Sequence, residues 1–151
     1  MAYNFFAFIS RMRYISRWGL MRNTFQENIQ EHSHMVAVLA HALAVIRRDV
    51  FGVPCDPGEA AVAALYHDAP EIFTGDLPTP VKYYNPEIRD AYKEVEATSA
   101  AKLLSMLPEE LRPSYDHYLR EDYDSALHAL VKAADKLSAH IKCLEELKAG
   151  N

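Results

Sequence analysis

Cysteine is scarce in this chain: 151 residues contain two, Cys55 and Cys143, and no CxxC pair. That is too few for a disulfide scaffold, and it points to a reducing cytoplasm. An excess of basic charge is missing too. The formal net charge is −5, which argues against a nucleic-acid polymer as partner, because such surfaces are ordinarily basic. An anionic small molecule stays open, since a metal and a few local cations can reverse the field inside one cleft. No stretch approaches the ~20 apolar residues a bilayer span needs. The apolar run Phe5 to Ile9 is broken at Arg11 and Arg13 and follows no basic segment, so it is not a signal peptide. The expectation is a protein of the cytoplasm with no membrane partner.

Sustained strand alternation is absent as well, and almost every segment carries helical period instead. Half the residues are hydrophobic, enough for a real core in one domain. Phe5, Phe6, Ile9, Met12 and Ile15 mark one face of a first helix, with a loop from Arg17 to Arg22 behind it. A second helix is predicted from about Glu27 to Asp49, ended by Gly52 and Pro54. Asp56-Pro57 opens an alanine-rich third helix towards His67, which Pro70 bends or ends. Thr74 to Pro80 reads as a loop; Asn85-Pro86 caps a fourth helix to about Leu107. A short fifth helix opens at Pro108 and stops at Pro113, and a long last one runs from Asp124 to the terminal glycine. The fold class is therefore all-α, a bundle of about six helices.

Four residues stand out against this pattern. His32 shares one side of the second helix with Val36, Leu39, Leu43 and Ile46, so its imidazole enters the core. A lone histidine there is ordinarily a satisfied core residue. His41 falls about 180° away and is expected in solvent. His67-Asp68 closes the third helix, although an HD dipeptide by itself is a weak signal. Asp135 lies beside the apolar stripe Leu127, Leu130, Val131, Ala134, Leu137, Ile141 and Leu144. A carboxylate there must be paired or metal-bound; Lys132 or Lys136 would be the ordinary partner. Together, two imidazoles and two carboxylates from three helices make a mixed N/O site for one divalent transition metal, be it Co, Mn, Zn, Ni or Fe. Four ligands on an octahedral ion leave positions for water and a substrate oxygen, the mark of a catalytic site.

In this order on helices, H…HD…D resembles the HD-domain phosphohydrolase superfamily. Arg17-Trp18, Leu20-Met-Arg22-Asn, Glu31-His32-Ser33, Tyr66-His67-Asp68, Glu71, the Thr74–Tyr83 block and Lys142-Cys-Leu-Glu-Glu-Leu together resemble the bacterial HD-domain 5′-deoxynucleotidases. The resemblance covers essentially the whole chain, taken as one HD phosphohydrolase domain over residues 1–151. In that family the chain continues further, and a C-terminal extension beyond this sequence is the corresponding expectation. It implies hydrolysis of deoxyribonucleoside 5′-monophosphates by a homodimer. It implies metal ligation by His32, His67, Asp68 and Asp135, of which His32, Asp68 and Asp135 also face the substrate. It implies Glu71 and Asp76 as catalytic carboxylates, and nucleotide contacts from Arg17, Trp18 and the loop Asp76, Leu77, Pro78 and Thr79.

The residue chemistry agrees with much of this. Glu71 follows Asp68 by one helical step of three, so both carboxylates project from one side. Arg17 offers a two-pronged donor to phosphate and Trp18 a flat wall for a sugar or base. Arg22 and Lys82 are further candidate cations. His34, His117, His128 and His140 carry no matching spacing and are expected at surface or structural positions, while Cys143 is expected on the core side of the last helix. Two alternatives share the same metal core: a hydrolase of nucleoside triphosphates or alarmones, and a non-catalytic nucleotide-binding protein.

Overall fold

The computed structural model describes residues 3–151. Helix α1 (Phe5–Ile9) passes into a 3-10 turn over Ser10–Tyr14. The single first helix expected from the apolar spacing is thus cut short: the chain turns extended at Ile15 so that Ser16 can bridge Asn28. Arg17 N–H donates to the Glu27 carbonyl at 2.9 Å and Ile29 N–H to that of Ile15 at 2.9 Å. These bonds hold a loop closed between the two ends.

Helix α2 (Ile29–Asp49) starts from a capping box, in which Asn28 accepts from Glu31 N–H and Glu31 reaches back to the Asn28 N–H. Its buried row is Ile29, His32, Ser33, Val36, Ala37, Ala40 and Ala44; His41 is exposed as expected. Helix α3 (Pro57–Tyr66) begins with Asp56 accepting from Gly58 and Glu59 N–H and with proline in the first turn. It buries Ala60, Ala63 and Ala64 against Ala37, Ala40 and Ala44 of α2. Small side chains on both helices let the axes approach closely, and this is the most extensive helix pair in the molecule.

Helix α4 (Glu71–Thr74) and helix α5 (Thr79–Lys82) are single turns. The second begins inside the loop that the sequence suggests over Thr74–Pro80, because Thr79-Pro80 supplies a first turn that needs no amide donor from proline. Helix α6 (Pro86–Ser105) carries the Asn85 cap. Helix α7 (Arg112–Leu119) corrects another expectation. Pro113 stands in its first turn and opens it rather than ending a helix begun at Pro108.

Helix α8 (Ser125–Lys148), capped by Asp124, packs on α2 and α3. Its buried row is Leu130, Val131, Ala134, Ser138, Lys142 and Glu146. Leu137 and Leu144, placed on the core stripe by sequence, are exposed, and so is Cys143. The row runs in steps of four, and Cys143 is rotated by about 100° from Lys142, off that row. The lower half of α8 meets main-chain polar groups of the 17–27 loop, so polar side chains occupy the contact.

Two apolar clusters result. One joins Phe5, Met12, Ile29, Ala69, Ile72, Leu103, Leu107 and Leu119; the other joins Val36, the alanines, Leu130, Val131 and Ala134. Where α2 and the end of α3 pass from one cluster to the other, they carry His32-Ser33 and His67-Asp68. Among the described residues no helix is long and apolar enough to cross a membrane.

Candidate metal centre

His32 sits between Ile29 of the first cluster and Val36 of the second, and His67-Asp68 sits between Ala64 and Ala69. Asp135 adjoins Ala134 on α8. The seam between the clusters thus collects the polar side chains. His32 is fully buried, and its Nε2 lies 2.8 Å from Asp135 Oδ1 and 3.6 Å from Asp68 Oδ2. His67 Nε2 lies 3.2 Å from Asp68 Oδ2 and 3.9 Å from Asp135 Oδ1. Ligand atoms of His32, His67 and Asp135 all fall within 4.8 Å of one another. Asp135 pairs with His32 rather than with Lys132 or Lys136.

Each imidazole has an outer partner. His67 Nδ1 donates to the Ala64 carbonyl at 2.6 Å, which directs the Nε2 lone pair into the cluster. His32 Nδ1 faces Ser138 Oγ at 3.3 Å. Four buried atoms at or beside the cluster find no hydrogen-bond partner in the protein: Arg17 Nε, His67 Nε2, Asp68 Oδ2 and Glu71 Oε2. Buried polar atoms are normally satisfied. The two imidazoles and Asp135, with the Asp68 carboxylate beside both rings, form a donor set that fits a divalent transition metal.

The electrostatics say the same. Burial, then the charges of Asp68 and Asp76, push Glu71 up to about 9, against weaker pulls from Lys82 and Arg17. Without a compensating cation this carboxyl keeps its proton at neutral pH. Burial works to lower His67, but the nearby Asp68 carboxylate prevails, with the Ala64 carbonyl and Asp135, and carries it up to about 9. Asp68 is itself buried, which raises it, yet His67, His32 and Arg17 hold it below the usual carboxylate range. The cluster carries more negative than positive groups, and protons or a metal ion must balance them.

Arg17 Nη1 lies 3.7 Å from Asp68 Oδ2, so the loop before α2 reaches the centre. Trp18 joins it through Arg17, whose Cζ is 5.7 Å from the indole. Gly75, at φ 71, ends α4 with nothing within 4 Å of a Cβ built on it. Its backbone conformation, rather than space, requires glycine, and it turns the chain so that the Asp76 charge acts on Glu71. Leu77 and Pro78 are half-buried and Thr79 is exposed; these three lie outside the lining of the cavity next to His67. Arg22 is exposed.

That cavity, of about 680 Å³, opens from His67, Asp68, Glu71 and Asp135 between α6 and α8. Lys82 stands on its wall, bonded to Glu96 at 2.6 Å and 4.6 Å above the Tyr92 ring. His128, at the surface as expected, also lines its rim, as do Lys93, Glu121, Tyr123 and Lys132. None of these is marked by spacing in the sequence. Glu27 is the other residue sequence reasoning passes over: it precedes the α2 cap and reads as ordinary helix-entry charge, yet it faces Arg17, Trp18 and His32.

Comparison with known proteins gives consistent likenesses. A family model described as 5′-deoxynucleotidase YfbR-like matches residues 4–151. A 5′-deoxynucleotidase of Vibrio cholerae is 52% identical over 149 residues, covering 98% of this chain and 77% of the relative. Among solved structures, an HD-domain phosphohydrolase from Listeria innocua superposes with a TM-score of 0.86 at 27% identity, covering 98% of this chain and 71% of the other. A cyanophage S-2L HD phosphohydrolase bound to dA and one catalytic Zn2+ ion has a TM-score of 0.64 at 28% identity, covering 88% of this chain and 66% of the other.

Proposed function

The chain belongs to the YfbR-like 5′-deoxynucleotidase family, and on that premise we propose that it converts deoxyribonucleoside 5′-monophosphates to deoxyribonucleosides and phosphate. It is a metal-dependent phosphomonoester hydrolase whose described residues act as one HD phosphohydrolase domain. The observation that carries the reading is the convergence of His32, His67 and Asp135, with Asp68 against both imidazoles and Arg17.

In this proposal those four residues hold one divalent ion, with Co, Mn, Zn, Ni and Fe all compatible with the N/O donor set. The ion, when bound, lowers the pKa of a water and offsets charge developing on the phosphate. The chain does the rest. Arg17 orients the phosphate with two N–H groups. Glu71, three residues after Asp68 and on the same side, holds or moves the proton of the attacking water, and Asp76 serves the departing oxygen or exchanges roles with it. Trp18 stands against the sugar, and the Asp76–Thr79 loop contributes to the nucleotide site. The chain works in the cytoplasm as a homodimer.

The test is reconstitution of metal-stripped protein with each ion in turn. Phosphate release is then measured from deoxy- and ribonucleoside mono-, di- and triphosphates. Release from deoxyribonucleoside monophosphates, with little from triphosphates, is expected. Preference for triphosphates would replace the reading with that of a nucleoside-triphosphate hydrolase.

A further inference from the structure

Trp18 sits at φ 60, in the left-handed region that a bulky side chain rarely occupies. Such a conformation persists only where its surroundings over-determine it. The main chain supplies part of the brace: Met21 N–H donates to the Trp18 carbonyl at 2.9 Å and Asn23 Nδ2 at 3.2 Å. The side chain is held by one group alone among its hydrogen-bond partners, since the indole Nε1 donates to Glu27 Oε2 at 2.7 Å.

The same carboxylate oxygen lies 3.4 Å from Arg17 Nε, while Arg17 Nη1 points to Asp68 at 3.7 Å. The guanidinium therefore lies within ion-pair distance of two carboxylates, although its Nε makes no hydrogen bond. Glu27 Oε1 faces His32 Nδ1 at 3.8 Å, beyond hydrogen-bond range, and Ser138 Oγ is the nearer partner of that nitrogen. Glu27 is largely buried, with 14% of its side chain exposed.

We propose that Glu27 is a positioning residue for substrate selection: its carboxylate fixes the indole of Trp18 and keeps Arg17 from collapsing onto Asp68. This rests on the deoxynucleotidase reading above. Glu27 touches neither phosphate nor metal in this assignment and acts through Arg17 and Trp18. The two effects separate by substitution. Glu27→Gln keeps an acceptor for the indole N–H but loses the charge that balances Arg17; Glu27→Ala loses both.

Trp18 is the sole tryptophan of the chain, so its fluorescence reports the loop directly. In Glu27→Ala, the emission maximum and acrylamide quenching should change, and KM for a deoxyribonucleoside monophosphate should rise roughly tenfold, as expected for loss of a charge-assisted contact. Turnover number should stay within roughly threefold, metal content should be unchanged, and the deoxy-to-ribo ratio should fall. Glu27→Gln should keep the wild-type fluorescence while raising KM. Wild-type fluorescence in Glu27→Ala overturns the proposal, as does a lowered Tm with KM and the deoxy-to-ribo ratio intact. If wild-type protein releases no phosphate from any deoxynucleotide, the substrate reading fails instead. The fluorescence difference between the Ala and Gln variants still decides whether Glu27 holds Trp18.

Discussion

Asp135 has lysines on either side of it in sequence, yet its bond crosses the bundle to a histidine more than a hundred residues away. A helix carboxylate at the edge of a buried row reaches whatever polar group the facing helix supplies, and α2 supplies His32. Replacing Asp135 with alanine should cut metal affinity by at least roughly 100-fold, above the range typical of outer partners. Phosphate release should fall below detection. Calorimetric titration with Mn or Co reads the affinity, and near-wild-type turnover would remove Asp135 from the ligand set. Glu71 gives a sharper test of chemistry against fold. Its surroundings favour the neutral acid, so Glu71→Gln is nearly isosteric with the form the folded protein prefers. The variant should keep its Tm and bind metal, while turnover drops by roughly 10²–10⁴, the usual worth of a positioned proton carrier. A Gln variant with wild-type turnover would mean that the proton travels by another group.

Helix entries were the most readable elements, because capping chemistry is local. Asp56-Pro57, Asn85-Pro86 and Asp124 each start a helix where the sequence marks one. The four-residue helices were not readable: a single turn forms one or two hydrogen bonds and owes its shape to its neighbours. Pro113 misled because a proline ends or opens a helix according to which side the chain continues on. The centre was legible where its residues fall at helical spacing, as His32 does with Val36. It was illegible where a loop delivers the group, as with Glu27, or where a distant helix lines the cavity, as with Tyr92 and Lys93. The caps also set a control for the site experiments. Asp56 accepts from Gly58 N–H at 2.9 Å and Glu59 N–H at 3.1 Å, at the opposite end of α3 from His67. Asp56→Ala should cost about 1 kcal/mol, a drop of roughly 2–4 °C in Tm for a chain of this size, with turnover at 25 °C unchanged. A loss of activity larger than the loss of folded protein would tie α3's entry to the geometry of His67.

Across the whole molecule, the C-terminal half of α8 meets the loop that bears Arg17 and Trp18. Lys142 Nζ donates to the Phe25 carbonyl at 2.7 Å and pairs with Glu146, which in turn accepts from the N–H and hydroxyl of Thr24 and from Asn151 Nδ2. Lys142 also lies over the Phe25 ring. This polar contact replaces an apolar one on the lower half of α8, and it makes the loop's attachment depend on charge. Lys142 and then Thr24 hold the Glu146 carboxyl below its ordinary range. A carboxyl lowered on folding contributes stability that is complete above its unfolded value, near 4.5, and is lost as pH falls towards the folded one. The loop should therefore loosen in acid before the bundle does. Trp18 fluorescence should change as pH is lowered below about 4.5, ahead of the far-ultraviolet circular dichroism that follows the helices. Glu146→Gln removes the titrating group, so its loop signal should be altered already at neutral pH and should show a flatter acid dependence. If both signals move together in wild type and variant alike, the loop and the bundle open as one unit, and the contact between α8 and Thr24–Phe25 has no separate part in holding Arg17 and Trp18 in place.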